Sequence, residues 1–122
     1  MFRDILIVGA GSMLGGISRY LVALLMRGVS VSFPWATFTA NLLGCFLVGF
    51  LWSLFSRQAN LSSQAHLFLA VGFCGSFTTF STFSKESLAF LQAGNHISFG
   101  LYAFGSLFLG ILAVAAGFML FK

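Results

Sequence analysis

Apolar residues fill this chain in four long stretches, separated by short polar or glycine-bearing segments. A bilayer core of about 30 Å takes about 20 apolar residues at about 1.5 Å of helical rise each. Residues 4–26, 34–55, 65–92 and 97–121 meet that length, so the pattern predicts four membrane-spanning helices. Pro34 suits the first turn of the second helix, where a missing N–H costs little. Residues 28–34 read as a connector, 56–64 (SRQANLSSQ) as a polar loop, and 93–96, with Gly94 and Asn95, as a tight turn. The expected fold is a single all-α transmembrane domain over residues 1–122, with no room for an extramembrane domain.

The third stretch departs from the pattern. After LFLAVGFC comes GSFTTFSTFS, residues 75–84, with seven Gly, Ser and Thr residues, and then Lys85 and Glu86. Irregular backbone at membrane depth survives where protein or a watery cavity satisfies the freed N–H and C=O groups. Membrane transporters place ions at such interruptions. A continuous helix whose hydroxyls bond back to carbonyls four residues earlier is the plainer alternative. The density of polar residues favours a break.

Composition supports the membrane reading. Of the residues, 59% are hydrophobic and 7% charged, against roughly a quarter charged in soluble domains. The net charge of +4 comes from basic residues scattered singly, which is not the patch a nucleic acid requires. Cys45 and Cys74 lie in apolar runs without metal spacing and read as small buried hydrophobes. The apolar run 5–10 behind Arg3 lacks a cleavage pattern, so the first stretch is expected to stay as a span.

Four spans put both termini on one side, with Arg3, Arg57 and Lys122. Arg27 lies on the other side, and Arg19 and Lys85 are able to snorkel there, which gives three against three. Orientation follows the Lys/Arg bias, so a tie predicts insertion in both directions and an antiparallel homodimer about an in-plane two-fold axis. Small residues four apart (Gly11 and Gly15, Ala40 and Gly44, Ser106 and Gly110, Ala113 and Gly117) favour close helix packing in lipid. Gly9, Gly11 and Gly15 imitate a dinucleotide-binding turn. That motif needs an acidic residue about 20 positions later and a parallel sheet, whereas residues 29–33 hold no carboxylate.

Candidate chemistry gathers in the middle of the spans. The two carboxylates, Asp4 and Glu86, form no catalytic pair, and His66 and His96 flank the third stretch too far apart to share a metal, so an enzyme is not expected. Asn41, one turn after Thr37, offers two amide donors, either to a passing anion or to a neighbouring helix. Phe77, Phe80 and Phe83 recur every three residues and are expected to lie near one another along a helix face, flanked by Ser81, Thr82 and Ser84. Ring edges carry partial positive charge and suit a small anion met edge-on. Glu86 either pairs with Lys85 or accepts from hydroxyls such as Thr82, which shares its helix face. Tyr102 adds a further hydroxyl, and Arg19 either concentrates anions at one mouth or snorkels.

GGxxRY in the first stretch, TFxxNLLGxFLxG in the second and GFCGSFTTFSTFSxE in the third together resemble the Fluc (CrcB) family of fluoride channels. The resemblance implies a passive fluoride-selective channel in the bacterial inner membrane, built as an antiparallel dual-topology homodimer with two pores. It also implies roles for single residues: Asn41 as the pore asparagine, Phe80 and Phe83 as ring-edge ligands, and Ser81, Thr82, Glu86 and Tyr102 as a polar track. Arg19 would be the vestibule arginine, and a structural sodium ion would sit at the dimer centre on the carbonyls of Gly75 and Thr78. Composition alone does not choose among small anions; the resemblance supplies fluoride. A small multidrug-type proton-coupled transporter shares the size and span count, but its first helix carries a mid-span acid that is missing here. A non-transporting assembly subunit is the third reading, and it predicts no flux.

Overall fold

The structure is a computed structural model and describes residues 1–28, 33–57 and 62–120. The parts of the two predicted connectors at 29–32 and 58–61, together with Phe121 and Lys122, lie outside the described residues. Among the described residues, four helical spans are long and apolar enough to cross a membrane. They are α1 (Phe2–Leu25), α2 (Trp35–Arg57), a composite third span, and α6 (His96–Leu120). Phe38 N donates to Pro34 O at 3.1 Å, so Pro34 stands at the entry of α2 without costing a bond. Gly94 turns the chain before α6 at φ +77°, and Asn95 Oδ1 accepts from Ser98 N at 3.2 Å to cap the helix start.

The third span is assembled from pieces. A first turn, α3 (Ser63–His66), is capped by Ser62, whose Oγ accepts from Ala65 N at 3.1 Å. A π-helix (Leu67–Cys74) and one short turn, α4 (Gly75–Phe77), follow. Thr78 (φ −87°, ψ 160°) and Thr79 (φ −150°, ψ 122°) then have extended backbone, and helix resumes as α5 (Phe80–Gln92). The π-helix is rare and appears mostly as single-turn bulges inside α-helices, frequently at functional sites.

Backbone proximity sets the layout. α1 lies against the π-helix and α4, while α2 lies against α6 and also reaches the π-helix, α4 and α5. Gly11 and Gly15 sit against the backbone of Phe68, Gly72 and Phe73, where a methyl at either position would strike a carbonyl. Gly49 and Gly117 do the same between α2 and α6. In lipid the hydrophobic effect does not press helices together, so close van der Waals approach of this kind must do so. The surface is correspondingly apolar: Phe104, Leu107 and Phe108 are exposed, whereas Thr37, Ser53 and Ser87 are buried. The glycines that mimicked a dinucleotide turn therefore lie within a helix, and Gly11 and Gly15 serve packing.

Candidate functional site

The two extended residues sit beside the middle of α2, and a side chain from α2 completes their hydrogen bonding. Asn41 Oδ1 accepts from Thr79 N at 2.8 Å, and Asn41 Nδ2 donates to Thr79 O at 3.2 Å. The amide thus imitates a neighbouring strand, holding both polar groups of one residue that has left the helix. One Nδ2 hydrogen remains for another acceptor. On the near side of the gap, Thr78 N and Thr78 Oγ1 both donate to Cys74 O, at 3.1 and 3.0 Å. On the far side, Thr79 Oγ1 accepts from Thr82 N at 3.2 Å and caps α5, with Ser81 Oγ 3.4 Å from the same oxygen.

This wiring leaves particular atoms free of helical partners. Gly75 O would take a bond from Thr79 N, which is diverted to Asn41. Thr78 O would take one from Thr82 N, which is diverted to the Thr79 hydroxyl. Gly75 O before the gap and Thr78 O within it are thus left without their helical donors, and the first turn of α5, with its N–H groups, begins on the other side. Hard oxygens of this kind suit an alkali cation, and the partly exposed N–H end suits an anion.

A groove of about 530 Å³ opens on the gap. Its lining includes Asn41, Thr79, Phe80, Phe83, Cys45 and Ser106. The Phe80 and Phe83 ring centroids are 6.1 Å apart at 41°, and Phe83 lies 5.0 Å from the Tyr102 ring. Phe80 is 80% exposed, so one side of this ring pair is bare in a single copy of the chain. Ser106 Oγ is buried with no hydrogen-bond partner. Above the groove, Glu86 is held by two hydroxyls: Tyr102 donates to Oε1 at 2.7 Å and Thr37 to Oε2 at 3.1 Å. Tyr102 is fully buried among Phe33, Phe83 and Phe90.

Several expectations change. Phe77 does not share a face with Phe80 and Phe83: it is buried before the gap and stacks on Phe73 at 5.7 Å, because extended backbone at Thr78 and Thr79 intervenes. Glu86 takes its bonds from Thr37 and Tyr102, and neither Lys85 nor Thr82 is its partner. Ser81 and Thr82 stand at the capped start of α5, and Thr82 contributes its backbone N–H there. Arg19, on α1, is partly buried with its Nε unpaired, and it is not among the groove residues. Thr37 as a Glu86 donor, and Ser106 and Cys45 as groove residues, were not anticipated. Thr37 and Ser106 each stand four positions from a named polar residue, Asn41 and Tyr102, and that spacing was the available signal. No group of three potential metal-ligating His, Cys, Asp or Glu side chains forms among the described residues.

Fold and site together define a small multi-pass α-helical membrane protein, with its polar groups gathered around an interruption deep in the third span. The chain belongs to the family described as CrcB-like protein, Camphor Resistance (CrcB), which matches residues 6–118. Among its relatives, the fluoride-specific ion channel FluC of Chlorobium chlorochromatii is 48% identical over 113 residues, covering 93% of this chain and 88% of the relative. The protein of the same name from Thermus thermophilus is 47% identical over 116 residues, covering 94% and 92%. That of Bacteroides fragilis strain YCH46 is 43% identical over 119 residues, covering 94% and 93%.

Proposed function

We propose that this chain is a passive, fluoride-selective channel, not an enzyme, that releases cytoplasmic fluoride down its electrochemical gradient. The observation that carries the reading is the groove, where an amide hydrogen of Asn41, the rings of Phe80 and Phe83 and the unpaired hydroxyl of Ser106 converge with no cationic side chain among them. Fluoride is small and strongly hydrated, so a path must replace its water with dense donors. A fixed positive charge would bind the ion too tightly to release it. Hydroxyls, an amide and ring edges donate without trapping. The names of the relatives point to the same ion.

On this reading, Ser81, Thr82, Glu86 and Tyr102 extend the polar track, and Arg19 draws anions to one mouth. Two copies pair antiparallel in the bacterial inner membrane and form two pores. The bare side of Phe80 supports a second copy, since a ring-edge ligand needs enclosure to exclude lipid. The carbonyls of Gly75 and Thr78, deprived of helical donors, fit a sodium ion shared at the dimer centre. Such an ion would supply positive charge near the path; the residues of this chain hold it with neutral oxygens. A negative interior potential drives an anion outward by about 2.3 kcal/mol per 100 mV, so no coupled energy source is needed.

Liposomes containing the purified protein and loaded with fluoride or chloride provide the test. Rapid fluoride efflux at an ion-selective electrode, with chloride retained, is the expected result. Vesicles tight to fluoride would remove the proposal.

A further inference from the structure

One face of α2 meets the extended pair and its surroundings at three successive levels. Thr37 bonds Glu86, Asn41 holds Thr79, and Gly44 faces Thr78. These positions are four and three apart, so they lie in a single stripe. At Gly44 the fit is steric: a Cβ there would overlap Thr78 Cγ2 and come within 3.4 Å of Phe77 Cδ2. Thr78 cannot turn that methyl aside freely. Its Oγ1 donates to Cys74 O at 3.0 Å, and any rotation of χ1 breaks that bond. Thr79, the next residue along, is held by Asn41 from the same helix. A methyl on α2 therefore has two outlets, loss of the Thr78 hydroxyl bond or displacement of the extended backbone.

We infer that Gly44 is a positioning residue for conduction: its missing side chain seats the Thr78 methyl and so sets where Thr78 and Thr79 lie against Asn41. The inference rests on the channel reading for its functional consequence, while the contact stands on geometry alone. It assigns the glycine of the TANLLG run to the seating of Thr78, not to general helix packing.

The test is a two-by-two comparison of Gly44→Ala in the Thr78 and Thr78→Ser backgrounds. Serine keeps the hydroxyl for Cys74 O and removes the methyl. With threonine, Gly44→Ala lowers fluoride efflux by about tenfold, as small displacements of a reacting geometry do. With serine, the same change costs less than about threefold, because the two sites are coupled only through the methyl. Thermal melting in detergent is measured on all four proteins, and a positioning role predicts that flux falls without a matching fall in melting temperature. If Gly44→Ala is not recovered folded, the comparison is read on recovery: rescue by Thr78→Ser supports the contact, and failure to rescue overturns it. Equal losses of flux in both backgrounds also overturn it. Wild-type vesicles run alongside separate the two ideas: their failure to pass fluoride sinks the channel reading, whereas fluoride flux in the wild type with equal losses from Gly44→Ala in both backgrounds sinks the contact alone.

Discussion

Asn41 occupies mid-span in α2, where an amide without partners is costly, and its two bonds to Thr79 remove that cost. Asn41→Asp would set a carboxylate oxygen against Thr79 O in place of the 3.2 Å donor contact. Fluoride efflux is expected to fall by about a hundredfold, the scale of losing one oriented donor; efflux at the wild-type rate would take Asn41 out of the path. Phe80→Ile keeps an apolar side chain and loses the ring edge, so conduction is expected to fall by about five- to tenfold, the edge contact being worth about 1–1.4 kcal/mol. A full rate would argue against aromatic ligands. Tyr102→Phe removes the 2.7 Å donor to Glu86 and should destabilise the protein by about 1–3 kcal/mol, read as a lower melting temperature. At this scale the sequence disclosed which residues are out of place in lipid. It did not disclose their partners: Asn41 bonds a backbone 38 positions away and Thr37 a carboxylate 49 away, separations on which no local periodicity bears.

The elements were legible in extent and less so in character. Spans read as 4–26 and 97–121 correspond to Phe2–Leu25 and His96–Leu120, because hydropathy and bilayer thickness fix length within a residue or two. The π-helix was not legible, since LFLAVGFC is as apolar as an α-helix and only the hydrogen-bond register distinguishes them. The Phe77, Phe80 and Phe83 stripe failed for a related reason, as helical spacing has no meaning across two extended residues. The α1 interface yields its own prediction. Gly15→Val would drive side-chain atoms into the Phe73 carbonyl, and overpacking of this kind costs about 1–3 kcal/mol. Gly9→Val, facing open space, should leave the melting temperature close to that of the wild type.

Across the whole molecule, the arrangement is inverted relative to a soluble domain: Phe80, Phe104 and Leu107 look outward, while Thr37, Ser53 and Ser87 lie inside. Orientation in the membrane then hangs on very few charges. Ser63→Arg adds positive charge on the side of the termini, and Gln92→Arg adds it on the opposite side; both positions are exposed. If copies pair head to tail, each variant alone should insert predominantly one way and lose most fluoride efflux, while the two expressed together should restore it. Full activity of either variant alone would dispose of antiparallel pairing.

The π-helical stretch Leu67–Cys74 bears on how such a chain tolerates changes in length. Removing one residue from an ordinary α-helix swings everything beyond it by about 100°. Each wide turn already stores a spare residue, so a deletion there is absorbed as the turn tightens, and the remainder of the span keeps its heading. Removing one residue of α5 ahead of Glu86 has no such reserve and would turn Glu86 away from Tyr102. The third span therefore carries its slack on one flank of the gap and none on the other.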